Sequence, residues 1–153
     1  MYDEVVIGAR EVLGAHTFTA PDIIAFALKY DPQPFHIDAE AARRSPFGGL
    51  IASGWHTGGV WMRLRVEGWK RVNARRAAEG LPPYRNGPSP GFTNLAWTKP
   101  VYAGDTITYA TEVKSKRLLA SRPGWGIVTS HNTGTNQHGA IVFSFDGTVL
   151  LPR

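Results

Sequence analysis

The segment Tyr30-Asp31-Pro32-Gln33-Pro34-Phe35-His36-Ile37-Asp38 places a carboxylate and an imidazole close together, with a proline on each side of Gln33. Each proline fixes its own φ and disfavours the helical region for the residue before it. Asp31 and His36 are therefore expected on a short, stiff, extended loop. Histidine titrates near neutrality and passes a proton in either direction, while a carboxylate orients water and accepts its hydrogen. Such a pair can share and activate one water. On spacing alone the same residues also fit a helix-end aspartate beside a partly buried, hydrogen-bonded histidine, and both readings stand at this point.

Other candidates carry less. Ser53 has no His/Asp arrangement of known spacing that would make it a nucleophile. His56 follows Gly54 by two positions and suits either a pocket wall or a structural role. His131 and His138 show no metal-ligand spacing, and no metal site is expected. The absence of cysteine excludes a thiol nucleophile, a disulfide scaffold, a zinc ribbon and a cysteine-ligated cluster. No glycine-rich phosphate loop is present. Seventeen basic residues against twelve acidic give a net charge of +5, which suits an anionic partner or a solvated face. Arg63, Arg65, Lys70, Arg71, Arg75, Arg76 and Arg85 share one segment. Stacking aromatics do not interleave with these bases, so nucleic acid is not an expected partner.

The elements around the Asp/His pair follow from pattern. Residues 4–18 contain a partly alternating apolar run that suits an opening strand. Thr19-Ala20-Pro21-Asp22 reads as a helix start, with Thr19 as cap and Asp22 favoured by the dipole, and Pro32 and Pro34 end that helix. Asp38 caps a short helix running through Arg44. From Gly49 to about Trp69 the chain is apolar for most of its length but holds Gly54, Gly58 and Gly59. Each internal glycine costs about 1 kcal/mol against alanine, so this long helix is expected to be buried. Lys70–Gly91 reads as an exposed helix end and a long loop. The runs 92–101, 106–116, 126–132 and 139–151 are rich in valine, threonine, isoleucine and aromatics and read as strands. Turns are expected at Tyr102–Asp105, Arg122–Gly124 and Gly134. This is an α+β pattern: an antiparallel β-sheet wrapped around one long central helix.

A chain of 153 residues, 42% hydrophobic and 19% charged, with neither repeat nor linker, reads as one domain over 1–153. No apolar run approaches the ~18 residues of a membrane span. The acidic N-terminus is unlike an export signal, so a cytoplasmic protein is expected.

Three blocks resemble a known family. Phe26–His36, with Ala42 six residues on, is similar to the hydratase-2 motif of MaoC-like dehydratases and (R)-specific enoyl-CoA hydratases. Pro46-Phe47-Gly48-Gly49-Leu50-Ile51-Ala52-Ser53-Gly54 resembles the stretch leading into that family's central helix. Trp97–Ile107 resembles its strand and Gly-Asp turn. The resemblance implies a hot-dog fold, working as a homodimer or dimer of dimers. It also implies reversible addition of water to a trans-2-enoyl thioester, giving the (R)-3-hydroxyacyl product. Asp31 and His36 would activate the water, and the Gly54 backbone N–H would bind the thioester oxygen. An N–H at a helix N-terminus is aimed at charge that builds there.

Ser53 and His56 are then expected near the substrate, and Arg75 and Arg76 against the phosphates of CoA. An acyl-CoA thioester is the expected partner, as substrate, and no cofactor is expected. Gln33 stands where the family usually has Asn, Phe35 where an aliphatic residue is usual, and Trp61-Met62 where the (R)-hydratases have a serine. These departures bear on the acyl group rather than on the Asp/His pair. Two alternatives remain: a hot-dog thioesterase, disfavoured because Leu50–Leu64 carries no acid, and a non-catalytic acyl-CoA-binding protein.

Overall fold

The computed structural model describes residues 1–153. Strand β1 (Arg10–Thr17) leads into helix α1 (Ala20–Tyr30), followed by two short helices, α2 (Pro34–Ile37) and α3 (Ala39–Arg43). Helix α4 (Gly54–Ala78) follows. Then come β2 (Gly91–Trp97), β3 (Thr106–Leu118), β4 (Trp125–Thr135) and β5 (Ile141–Pro152). All five strands form one antiparallel sheet in the order β1-β3-β4-β5-β2. The sheet-and-helix architecture is the hot-dog arrangement implied by the resemblance.

The capping pattern holds at α1. Thr19 Oγ1 accepts from the Asp22 N–H at 3.3 Å and donates to its carboxylate at 2.7 Å. Asp38 caps α3 through the Glu40 and Ala41 N–H groups. In α4, His56, Thr57, Val60, Leu64 and Gly68 form the buried stripe, at roughly helical spacing. Val60 and Leu64 join Leu13, Phe18, Ile107, Tyr109, Phe143 and other apolar residues in the main core.

Several boundaries differ from expectation. The opening strand starts only at Arg10, because residues 2–4 form a 3-10 turn. Helix α4 begins at Gly54 rather than Gly49, since Ile51 and Ala52 are tied to the connection between β2 and β3: Ile51 bridges to Tyr102, and the Ala52 N–H bonds the Val101 carbonyl at 2.8 Å. Its other end runs on to Ala78, so the basic residues 70–76 are helical. Nor is α4 buried all round, with Trp55 and Met62 exposed. Gly134 marks no turn. It lies inside β4, where a Cβ would meet Ile107 at 3.0 Å and Tyr109 at 3.2 Å, and the turn falls at Asn136–Gly139.

The basic segment straps α4 to its surroundings. Arg65 pairs with Glu11 at 2.8 Å, Arg71 donates to the Leu13 carbonyl, and Arg63 approaches His16 Nδ1 at 3.1 Å. Arg76 pairs with Glu4 at 2.9 Å and donates to the Pro82 carbonyl at 2.6 Å. No helix is long and apolar enough to cross a membrane.

Candidate active site

Asp31 is the C-cap of α1, its N–H bonding the Ala27 carbonyl at 2.8 Å. Pro32 then bends the chain so tightly that the Gln33 N–H reaches the Asp31 carbonyl at 2.7 Å, a γ-turn. Gln33 is extended, as expected of a residue before proline. The second proline behaves differently from expectation. Pro34 opens a one-turn helix, because the first helical position needs no N–H donor, and His36 sits on that turn.

His36 Nδ1 lies 2.7 Å from the Ile51 carbonyl oxygen. A carbonyl only accepts, so Nδ1 carries the hydrogen and donates. In the neutral ring this leaves the lone pair on Nε2, which stands 3.4 Å from Asp31 Oδ2. Two acceptors facing each other at that distance fit the two hydrogens of one water, whose oxygen lone pairs then point outward. The residue carrying Ile51 is itself held on two sides: its N–H bonds the Phe35 carbonyl, and its neighbour Ala52 bonds Val101.

Asp31 is the better-anchored partner. Ser53 Oγ donates to Oδ2 at 2.7 Å, and Gln33 Nε2 donates to Oδ1 at 2.8 Å. The Ser53 and Gln33 hydrogen bonds, with a smaller contribution from the nearby His36, hold the Asp31 carboxyl below its ordinary range against the opposing effect of burial. It is therefore a carboxylate at neutral pH.

Gly54 opens α4 beside this pair. Its carbonyl accepts from Trp97 Nε1 at 2.9 Å and from Thr57 Oγ1 at 2.6 Å, while its N–H has no acceptor in the chain. Glycine is required there by space. An added Cβ would meet the Trp97 ring at 2.5–2.8 Å. Asp31, His36, Ser53, Gly54, Trp97 and Lys99 border one cavity of about 400 Å³. Trp55 also lines a second, apolar groove of about 720 Å³ between α4 and the sheet, bordered by Gly58, Met62, Phe92 and Phe143.

Four of the seven expected site residues thus meet: Asp31, His36, Ser53 and Gly54. Ser53 does so as a partner of Asp31. His56 goes elsewhere: it stacks on Phe26 at 4.5 Å, touches Phe18 edge-on at 4.9 Å, and lines neither cavity. Successive helix residues point in different directions, so two positions past Gly54 lies on another face. Arg75 and Arg76 lie roughly six turns along α4, roughly 30 Å from Gly54 in the same chain. Arg76 is held by Glu4 and Pro82, whereas Arg75 is exposed without an ion-pair partner. Sequence reasoning missed Trp97, Thr57 and the Ser53–Asp31 bond. Only Trp97 had a signal, as the aromatic that opens the Trp97–Ile107 block.

Comparison with known proteins bears on the family and the fold. A family model described as "MaoC like domain" matches residues 9–135. An uncharacterized Bacillus subtilis (strain 168) protein, YdeM, is 31% identical over 152 residues, 99% of this chain and 98% of its own. The crystal structure of a MaoC-like dehydratase from Rhodospirillum rubrum is 36% identical, with a TM-score of 0.82, covering 99% of this chain and 95% of that one. The unliganded R-hydratase PhaJ1 from Pseudomonas aeruginosa shares the fold, at 24% identity and a TM-score of 0.70 over 99% of this chain and 85% of its own. A family model that spans most of the chain, with relatives alike from end to end, leads to one conclusion: this chain belongs to the MaoC-like dehydratase family.

Proposed function

We propose that the protein is a hydro-lyase that adds water reversibly to a trans-2-enoyl-CoA, giving the (R)-3-hydroxyacyl-CoA. The observation that carries this reading is the acceptor pair of Asp31 and His36 Nε2, 3.4 Å apart in the cavity that Gly54 also borders. Water held by both acceptors attacks the β-carbon with an oxygen lone pair, and one of its protons passes to the pair. The C=C electrons shift toward the thioester, so that negative charge gathers on its oxygen. The Gly54 N–H, at the positive end of α4, receives that charge. The resulting enolate takes a proton at the α-carbon from the protonated pair. One proton enters the pair and one leaves, so the site is restored.

The thioesterase alternative finds no support. Helix α4 has no acid in its first turn, and its first acid, Glu67, is exposed and sits 3.9 Å from Arg63.

A homodimer fits the same reading. Strands β1 and β2 are sheet edges, and an open edge is usually paired or blunted. Exposed Trp55, Met62, Phe92 and Trp97 gather on α4 and β2. In a two-fold contact with the α4 helices antiparallel, the C-terminal end of one helix approaches the N-terminal end of its copy. That arrangement is the route by which Arg75 would meet the phosphates of bound CoA.

The test is ultraviolet monitoring of enoyl-CoA absorbance over a panel of acyl chains, with a parallel free-thiol assay. Loss of the conjugated band without thiol release supports hydration; thiol release would establish thioesterase activity, and neither would leave a binding protein. Light scattering at micromolar concentration checks the dimer, which a monomer would exclude.

A further inference from the structure

Ser53 occupies the N-cap position of α4 but makes no side-chain cap. A serine there ordinarily turns its oxygen to the N–H of the second or third helical residue. Here the hydroxyl reaches across 22 residues and donates to Asp31 Oδ2 at 2.7 Å. The residue is 1% exposed, so its hydroxyl is shielded from solvent. Meanwhile the Gly54 and Trp55 N–H groups at the start of α4 find no acceptor in the chain. Oδ2 is also the oxygen nearest His36 Nε2, so Ser53 acts on the atom that faces the shared water.

We propose that Ser53 is a positioning residue that joins the two halves of the site. By giving its hydroxyl to Asp31 it directs the remaining lone pairs of that carboxylate at the water. By withholding its oxygen from the helix it leaves the Trp55 N–H, next to that of Gly54, without a cap at the positive end of α4 that faces the thioester oxygen. This inference rests on the hydration reading above. The groups facing Asp31 are Gln33 from its own loop, His36 from α2, and Ser53 and Gly54 from α4. Lys99, on the segment after β2, borders the same cavity, and with His36 it is one of the two titratable groups among these neighbours.

Three variants test it. Asp is as good an N-cap as Ser, so if residue 53 merely ended the helix, Ser53→Asp protein that folds would keep its kcat, whatever stability the buried charge costs it. The proposal instead expects Ser53→Asp to lose activity at least as severely as Ser53→Ala, because the donor is gone and a second carboxylate faces Asp31. Ser53→Ala should lower kcat by about tenfold to a hundredfold with little change in KM, the worth of a hydrogen bond to a charged group. It should also move the acid limb of kcat/KM, and the Asp31 titration followed by carboxyl NMR, to higher pH. Ser53→Thr, which keeps the hydroxyl, should restore both. Circular dichroism confirms that each variant is folded. The inference is overturned if Asp31 titrates alike in the wild type and Ser53→Ala, or if Ser53→Asp keeps wild-type kcat. The NMR titration needs no turnover. A wild-type protein that hydrates no thioester would therefore sink the hydration reading, while the Ser53–Asp31 link would still be decided by the titration.

Discussion

Two histidines are buried near the start of α4, and they have opposite surroundings. His36 is 4% exposed and His56 is 9% exposed, so burial hardly separates them. His36 has a carbonyl on Nδ1, a carboxylate beside Nε2 and a cavity in front. His56 is stacked on Phe26 with Phe18 edge-on to it, its Nδ1 has no partner, and its nearest titratable ring is His16, at 6.5 Å between centroids. Desolvation, aided by the charge of His16, lowers its pKa from 6.5 to about 4. A buried imidazole becomes chemically useful when its two nitrogens are given different jobs. Without that division, burial simply keeps it neutral.

The largest expected effect breaks the first of the two sites. Asp31→Asn and His36→Ala should each reduce kcat/KM by about 10²–10⁴-fold, the usual worth of positioned acid–base groups, with circular dichroism unchanged. If both residues act on one water, as proposed, the double variant should be little worse than the worse single one. Retention of a tenth or more of wild-type kcat/KM by either variant, a loss below about 1.4 kcal/mol, would remove it from water activation.

Gly54→Ala should damage both activity and stability. The new methyl meets the Trp97 indole at 2.5–2.8 Å, so the ring must leave and its bond to the Gly54 carbonyl is lost. Overpacking of this kind costs about 1–3 kcal/mol, readable as a shifted urea midpoint. An unshifted midpoint would mean that Trp97 moves without cost.

His56 supplies the pH contrast. The unfolded chain takes up a proton near 6.5 and the folded chain only near 4. Between those values the unfolded state binds more protons, so stability falls as pH is lowered through this window, by on the order of 2–3 kcal/mol. Asp31, also lowered, acts in the same sense at lower pH: its contribution is complete above the ordinary carboxylate pKa and is lost as pH falls through its lowered folded value. His56→Phe should therefore flatten the stability profile between pH 6.5 and 4 while leaving kcat/KM at neutral pH unchanged. Urea titrations across that range check it, and an unaltered slope would contradict the assignment.

The smallest effect concerns the far end of α4. Arg75→Gln should raise KM for an enoyl-CoA a few-fold at low salt, with kcat unchanged and no effect on a pantetheine thioester that lacks the nucleotide. Exposed charge pairs are worth only ~0–1 kcal/mol and fade with salt. Equal effects on both substrates, or none, would place the CoA phosphates elsewhere. Arg75 is the cleaner probe, because removing Arg76 also removes its contacts to Glu4 and Pro82.

The local part of this molecule was legible in its sequence. Thr19 and Asp38 cap their helices through bonds to residues two or three positions on, and proline acts on itself and its immediate neighbour. The α1 start, the stop at Pro32 and the strands from β2 onward therefore followed from residue order. The closeness of Asp31 and His36 was legible too, since one short segment carries both, but spacing left their role open and only the family resemblance pointed to a shared water. Tertiary structure alone decided the rest, because the deciding bonds join residues far apart in the chain. The Ile51 carbonyl selects the His36 tautomer, Ser53 abandons its cap for Asp31, Trp97 forbids a side chain at Gly54, and Phe26 and Phe18 take His56 out of the site. Spacing specifies which neighbours a residue has along the chain. The direction in which a side chain points, and therefore its chemistry, is set by what packs against it across the fold.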